Sequence, residues 1–222
     1  MPSLKQLHIE VEHCTRCERL RTYCQDVART KRRQFSQWTY WGKPVAGYGD
    51  PDARLWIIGL APAAHGANRT GRVFTGDRSG DFLYAALHRA GYANQATSVS
   101  RDDGLKLRDC YISATARCAP PANKPLPQEV ANCSSYLDRE WTLLVNKRVI
   151  LALGKIAWDA SLALARRNGC VVPKPLPAFA HGARFALGAE LTLLGSYHVS
   201  QQNTFTGRLT PRMMDQVIQA TL

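Results

Sequence analysis

The chain has 222 residues, of which 45% are hydrophobic and 21% are charged. This length and composition predict one compact α/β domain over residues 1–222 and argue against disorder, a collagen-like repeat or a coiled coil. The excess of 29 Lys and Arg over 17 Asp and Glu, a formal charge of +12, favours nucleic acid as the partner. No apolar run approaches the ~20 residues of a membrane-spanning helix and the first residues resemble no secretory signal, so we expect no membrane partner and a cytoplasmic location.

Strand-like and helical patterns alternate along the chain. Apolar runs at residues 55–60, 110–116, 149–153 and 191–197 predict four buried strands. Apolar residues at helical spacing predict helices at 79–91, from 127 toward 144, from 154 to 168, and from the N-cap Thr210 to the end. The alternation predicts a three-layer α/β/α sandwich around a four-stranded parallel sheet, with a long ordered loop at 170–183.

Three polar loops follow predicted strands. Residues 59–77, 118–125 and 196–208 are rich in Gly, Asn, His and Asp. Each loop alone is a weak signal because Gly, Pro and Asn also form ordinary turns. Open parallel sheets bind ligands beyond the carboxyl ends of their strands, so we expect the three loops to form one site.

Four of the seven cysteines have the spacing of metal ligands. Cys14 and Cys17 form a Cys-x2-Cys pair, and Cys118 and Cys133 follow much later in the chain. On spacing alone, a zinc site and an iron–sulfur cluster are equally compatible, because both accept four cysteine ligands. The alternative is that Cys118 and Cys133 are ordinary buried thiols. Cys24, Cys110 and Cys170 have no assigned role.

Two of these loops resemble the motifs of a known family. Residues 59–72 resemble the first motif of the family 5 (B-type) uracil-DNA glycosylases, and residues 198–203, followed by 204–210, resemble the second. The cysteine pattern resembles the [4Fe–4S] site of families 4 and 5. The resemblance spans residues 14–210 and implies the uracil-DNA glycosylase superfamily fold, with a structural [4Fe–4S] cluster ligated by Cys14, Cys17, Cys118 and Cys133.

The resemblance implies a monofunctional DNA glycosylase. Such an enzyme flips a deaminated base, uracil or another such as hypoxanthine, out of DNA and hydrolyses its N-glycosidic bond, leaving an abasic site. Bond breakage leaves positive charge on the sugar and negative charge on the base, so the site needs hydrogen-bond donors at the base and an anion or positioned water at the sugar. We expect the partner to be DNA containing deaminated bases and the enzyme to be a monomer.

The base-binding roles fall on residues of all three loops. Phe74 offers a ring on which the flipped base stacks. The backbone N–H groups around Ala63 and Ala64 are suited to a base carbonyl, and the Asn123 amide to a pyrimidine edge or to the attacking water. His198 is suited to donate to a base oxygen. The alternatives are that Phe74 is a core residue and that His198 caps backbone groups of its loop.

The sugar-side roles fall on Asp77 and Asn203. Asp77 is the first acidic residue after Phe74 and is expected to orient water or stabilise the sugar cation, while Asn203 supports the same site. The alternatives are a helix cap for Asp77 and turn formation for Asn203. The neighbouring residues expected to enter or contact the DNA minor groove are Gln201, Gln202, Phe205 and Arg208.

Two positions depart from the wider superfamily. Ala61 stands where family 1 has a water-activating Asp, and Ala114 stands where family 4 has an Asn. The general base is therefore open, and the hypothesis is that Asp77 takes part of its role. The smaller, less polar pocket predicts acceptance of deaminated purines beside uracil.

Two other functions are alternatives to base hydrolysis. A non-catalytic nucleic-acid-binding module with a structural four-cysteine metal site would bind DNA without forming an abasic product. A superfamily branch that bonds covalently to the sugar carries a basic insertion ending in His, which residues 69–77 lack.

Overall fold

Six strands form one mixed sheet in the computed structural model, which describes residues 3–222. The strands are β1 (Tyr48–Gly49), β2 (Leu55–Gly59), β3 (Cys110–Ala114), β4 (Val149–Leu153), β5 (Arg184–Ala186) and β6 (Thr192–Ser196). The helices are α1 (Leu4–Glu12), α2 (Glu18–Thr30), α3 (Ala67–Thr70), α4 (Arg78–Arg89), α5 (Pro127–Leu143), α6 (Lys155–Arg167), α7 (Gln201–Phe205) and α8 (Pro211–Gln219).

The sheet has the order β1-β3-β2-β4-β6-β5. Its four central strands run parallel, as the sequence predicts. The edge strands β1 and β5 pair antiparallel with β3 and β6, and the sequence did not predict them. They have two and three residues, which is too short for an alternating pattern to be recognised.

Helices cover both faces of the sheet. Leu55 and Ile57 of β2 belong to a core with α4 and α8, whereas Trp56 and Ile58 belong to a second core with α5 and α6. Because both sets of alternating side chains are buried, the strand is apolar throughout, as is typical of a central parallel strand. The three-layer α/β/α prediction is confirmed.

The predicted helices all form, with one shifted start. Asp77, rather than Ser79, is the N-cap of α4, and its carboxylate accepts a hydrogen bond from the Gly80 N–H. Thr210 caps α8, with Pro211 at the first helical position, as predicted. Residues 170–183 contain neither helix nor strand, in agreement with the predicted loop.

The N-terminal region adds two helices that the sequence reading had not placed. α1 packs through Leu7 and Val11 against Tyr136 of α5. α2 begins directly after Cys17 and leads into residues 31–42, which we call the brace segment. No helix within residues 3–222 has the length and apolarity needed to cross a membrane.

Candidate active site

Loops at the carboxyl ends of β2 and β6 meet over the sheet. Phe74, from the loop after β2, faces His198, from the loop after β6, with 6.4 Å between ring centroids and a 40° tilt. Gly59 ends β2 directly beneath the Phe74 ring, where a Cβ would lie 2.7 Å from a ring carbon. The half-buried Phe74 has a backbone φ of +50°, an unusual conformation for a non-glycine residue.

His198 is neutral near pH 7. Burial lowers its pKa to about 4, so one ring nitrogen carries a proton and the other accepts. Gly154, at the end of β4, lies against the imidazole side chain with a φ of +92°, and a Cβ there would lie 3.2 Å from the His198 Cβ. The neutral ring retains one N–H donor, as the predicted contact to a base oxygen requires.

Asp77 lies at the start of α4, below the same loop. Its Oδ1 accepts from the Gly80 N–H at 3.0 Å, so the helix-capping alternative is observed. Its Oδ2 faces Gly66 so closely that no side chain fits there. Burial raises the pKa of Asp77, and hydrogen bonds from Gly80 and Ser79 oppose that rise. Capping uses Oδ1 and is compatible with a second role for Oδ2, so the catalytic role stays a prediction.

Asn203 supports the loop from behind. Its side-chain Nδ2 donates to the backbone carbonyl oxygen of His198 at 2.8 Å, and the backbone carbonyl oxygen of Asn203 accepts from the Leu209 N–H at 3.0 Å. The side chain therefore orders the His198 loop. A direct role at the sugar stays a prediction.

Asn123 is not joined to the other site residues. It ends a 3-10 turn over Pro121–Asn123, is exposed, and has a φ of +57° after Ala122 at +52°. Within residues 3–222, its side chain forms no hydrogen bond. Two consecutive left-handed residues determine where this side chain projects, and its role in base or water binding stays a prediction.

The backbone of the first motif offers free donors. Neither the Ala63 nor the Ala64 N–H has an acceptor among residues 3–222. The carbonyl oxygen of Ala63 accepts from Gly66 and Asn68, which orients the turn. Two adjacent half-exposed amides are free to bind an acceptor, and their role toward a base carbonyl stays a prediction.

Three of the four predicted minor-groove residues lie on a short helix rather than on an irregular loop, and Arg208 follows that helix. α7 contains three of them, Gln201, Gln202 and Phe205, all exposed, and the Phe205 side chain is 66% exposed. The guanidinium of Arg78 lies 5.2 Å from the Phe205 ring, and that of Arg208 lies 4.8 Å from the ring of Tyr197. An exposed aromatic side chain beside the Arg78 cation is compatible with DNA insertion.

The four predicted cysteine ligands come from elements that pack together. Cys118 and Cys133 are each 5% exposed, whereas Cys14 and Cys17 are half-buried. Asn132 on α5 donates to Cys17 Sγ at 3.3 Å, and Arg16 donates to the Asn132 carbonyl at 2.9 Å. These bonds hold the Cys-x2-Cys turn beside Cys133.

No three His, Cys, Asp or Glu side chains in the described part of the chain converge closely enough to hold one metal ion. In a four-iron cluster each thiolate binds a different iron, so the ligands stand further apart.

Polar groups around the cysteines also fit an anionic cluster. Arg117 is 1% exposed and donates from Nη2 to Glu140 at 2.6 Å, but its Nε and Nη1 have no hydrogen-bond partner within residues 3–222. Burial raises the pKa of the Cys133 thiol, and the positive charge of Arg117 opposes that rise. Cys24, in contrast, donates its own thiol to the Ala119 carbonyl at 3.6 Å and packs beside Cys118. Unpartnered Nε and Nη1 donors on a cation that interacts electrostatically with Cys133 suit a sulfur-rich anion.

Sequence reasoning missed two buried arginines, Arg69 and Arg117. Arg69 is 3% exposed, and no acidic residue within four positions of it in the sequence marks either a buried ion pair or a role. Arginines are mostly exposed, so nothing in the sequence distinguishes these two from the surface ones. Their position became evident only from the packing of segments far apart in the chain.

Comparison with known proteins shows the family of the chain. A profile of the uracil DNA glycosylase superfamily matches residues 46–221. The chain therefore belongs to the uracil DNA glycosylase superfamily.

The relatives specify the branch. The chain is 52% identical over 216 residues to the Type-5 uracil-DNA glycosylase of Mycobacterium tuberculosis, covering 97% of this chain and 79% of that protein. It is 47% identical over 205 residues to the Type-5 uracil-DNA glycosylase of Thermus thermophilus, covering 92% and 90%. The Type-4 uracil-DNA glycosylase of Thermotoga maritima is 33% identical over 114 residues, 51% of each chain. These matches confirm the family that the motifs predicted.

Proposed function

We propose that this protein is a DNA repair glycosylase that removes uracil from DNA by hydrolysis and leaves an abasic site. The observation that carries the proposal is the Phe74–His198 pair, which joins the two motif loops over the carboxyl edge of the sheet at 6.4 Å between ring centroids. An aromatic face beside a neutral N–H donor suits a flat base with carbonyl oxygens.

The reaction follows from these groups. The flipped uracil stacks on Phe74 and its carbonyl oxygens accept from His198 and from the Ala63 and Ala64 amides. The bond between C1′ and the base nitrogen breaks and its electron pair leaves with the base, while donors at the carbonyl oxygens stabilise the developing charge. Water adds to C1′ and its proton passes to the departing base. Asp77 and Asn123 are the groups proposed to orient that water.

We extend the proposal to other deaminated bases such as hypoxanthine. Ala61 and Ala114 remove polar groups that would select the base, at positions where related families place Asp or Asn. A pocket that selects mainly by stacking discriminates weakly between bases, because every base offers a π face.

The activity is tested on oligonucleotide duplexes carrying uracil or hypoxanthine. Under single-turnover conditions the enzyme should yield alkali-labile sites and free base, without a denaturant-resistant protein–DNA adduct. Phe74→Ala should slow uracil release by about 5- to 150-fold, the equivalent of losing ~1–3 kcal/mol of stacking. DNA binding without base release would instead favour the non-catalytic module, and a stable adduct would favour the covalent branch.

The same assay tests the proposed water-orienting residues. Asp77→Ala and Asn123→Ala should each lower the single-turnover rate while the affinity for uracil-containing duplex stays close to wild type. An unchanged rate for either variant removes that residue from the mechanism.

We further propose that Cys14, Cys17, Cys118 and Cys133 bind a [4Fe–4S] cluster. When bound, the cluster supplies an architectural cross-link between the N-terminal turn, the loop after β3 and α5. The free Nε and Nη1 donors of the buried Arg117 support this assignment, since they would donate to cluster or thiolate sulfur and offset its negative charge.

Iron analysis tests the ligand set. Purified protein should be brown and contain about four iron atoms per chain, the composition of a four-cysteine cubane. Cys118→Ser should lose iron and the visible absorption. Cys24→Ser is the matched control, because this neighbouring buried residue keeps a hydroxyl donor for the Ala119 carbonyl and should retain iron. A colourless wild-type protein, or equal iron loss in both variants, contradicts the assignment.

The remaining parts of the proposal concern the state of the enzyme in the cell. We propose that it acts as a monomer in the cytoplasm. A mass near 24.6 kDa by light scattering is the expected result, and twice that mass would contradict the monomer.

A further inference from the structure

Arg69 lies at the centre of a contact between the brace segment and the loop of residues 59–77, which we call the motif loop. It belongs to α3 and is 3% exposed. Its guanidinium carbon lies 3.8 Å from the ring centroid of Phe35 and 4.1 Å from that of Trp38. Within residues 3–222 no carboxylate comes within ion-pair distance of Arg69; the Asp77 carboxylate acts on its charge from further away, and the two rings are in direct contact with the guanidinium.

The guanidinium spans the motif loop. Nε donates to the His65 carbonyl oxygen at 2.8 Å, and Nη2 donates to the Gly76 carbonyl oxygen at 2.7 Å. These two acceptors lie eleven residues apart, on either side of Phe74. Gly76 has a φ of +81°, and a Cβ there would lie 2.5 Å from Arg69 Nη2, so only glycine permits this approach. Gly76 directly precedes Asp77.

The brace segment is itself tied to this loop by its backbone. Trp41 N–H donates to the Arg69 carbonyl at 2.9 Å, and Gly42 N–H donates to the Asn68 carbonyl at 3.0 Å. The Tyr40 hydroxyl bonds His65 Nδ1 at 3.0 Å. The rings that hold Arg69 are therefore fixed in turn by the loop that Arg69 clamps.

The energetic cost of this arrangement argues for a purpose beyond packing. A buried cation without a carboxylate partner is unfavourable, and Arg69 Nη1 is buried with no hydrogen-bond partner in the described chain. An apolar side chain between the two rings would avoid both penalties. Only a planar fork reaches two carbonyls while stacking on both sides.

We propose that Arg69 is a positioning residue for base excision, acting as a clamp that sets where Phe74 and Asp77 stand in the site. The inference rests on the proposed glycosylase function. By holding the His65 and Gly76 carbonyls, the Arg69 fork fixes the two ends of the loop that carries Phe74. The Phe35 and Trp38 rings of the brace segment stack on the Arg69 guanidinium and fix its orientation.

The test uses the full-length protein and a uracil-containing duplex. Arg69→Ala should lower the single-turnover rate of base release by about 10²-fold, as expected for displaced catalytic groups, while the Kd for the duplex changes much less. Guanidinium chloride at tens of millimolar should raise the rate of the Arg69→Ala enzyme at least about tenfold, because guanidinium can fill the slot between the rings. NaCl of equal ionic strength should not raise it. Arg69→Lys should remain slow, because an ammonium cannot span both carbonyls.

A matched control separates positioning from stability. Lys147 also lies over a ring, at 4.6 Å from Trp141, and donates to two carbonyls, those of Trp141 and Leu144. It precedes β4 at the amino ends of the parallel strands, whereas the site lies beyond their carboxyl ends. Lys147→Ala should therefore lower the Tm and leave the rate of base release unchanged. If Arg69→Ala fails to fold, Trp38→Leu serves as the test instead. It keeps Arg69 but removes one ring, and it should slow base release by about three- to tenfold.

Several results would overturn the clamp. They are a folded Arg69→Ala or Trp38→Leu enzyme with the wild-type rate, a fully active Arg69→Lys enzyme, or an Arg69→Ala rate that NaCl restores as well as guanidinium does. The wild-type protein in the same assay reports on the glycosylase function itself. A wild-type enzyme that releases uracil, together with unaffected variants, therefore refutes the clamp alone.

Discussion

His198 illustrates how burial sets the chemistry of a single side chain. The enclosed position above β4 lowers its pKa to about 4, so the imidazole is neutral across the physiological range. A neutral ring donates one hydrogen bond without bringing a full positive charge into the site. The pocket therefore offers the leaving base hydrogen-bond donors rather than an imidazolium ion.

This pKa predicts a pH dependence of stability. The unfolded histidine takes up a proton below about pH 6.5, whereas the folded one resists it until about pH 4. The stabilisation is complete above pH 6.5 and is lost as the pH falls toward 4, by up to roughly 3 kcal/mol. His198→Gln should lose less stability than wild type between pH 6.5 and 4 in urea unfolding. Parallel curves for the two proteins would contradict the lowered pKa.

At the scale of elements, polar ties between loops hold the site together. Arg72, two residues before Phe74, donates from Nη2 to Asp103 at 2.7 Å, and their side chains are 3% and 12% exposed. Burial acts to raise the pKa of Asp103, but hydrogen bonds from Arg72 and from backbone N–H groups hold it at about 2. The pair joins the motif loop to the connection between α4 and β3.

Removing this tie should be costly. Asp103→Asn leaves the buried Arg72 without its counter-charge and should lower the free energy of unfolding by about 3–5 kcal/mol at pH 7. Asp215→Asn is the control, since its pair with Arg89 is exposed on both sides and contributes at most about 1 kcal/mol. Denaturant titration of both variants measures the difference. Equal losses would mean that burial does not strengthen the Arg72–Asp103 pair.

The sequence predicted the central elements well and the edges poorly. β2, β3 and β4 are mainly apolar, β6 has Leu193 and Leu194 at its centre, and helices lie between these strands, so local pattern and tertiary role agree. β1 depends on its pairing with β3, because two residues carry no pattern of their own. α7 was expected as a loop, and its five residues are polar apart from Phe205.

For the whole molecule, the surplus of positive charge predicts salt-sensitive DNA binding. Each phosphate contact contributes about 0.9 to the slope of log affinity against log salt concentration. Arg78→Gln and Arg208→Gln, at exposed residues beside the site, should each reduce the slope by about 1. Arg148→Gln should leave the slope unchanged, because Arg148 directly precedes β4 at the amino ends of the parallel strands, away from the site. Equal slopes in all four proteins would show that DNA does not contact this edge.

The sequence by itself determined the layer architecture, the family and the identity of most candidate groups, because these depend on hydrophobic period and on contiguous motifs. Only the tertiary structure decided that Phe74 faces His198, that Asn203 supports the His198 backbone and that Asp77 caps α4. It also decided the roles of Arg69 and Arg117. A buried cation between distant segments leaves no periodic trace in the sequence, since its partners are rings and carbonyls that only folding brings within reach.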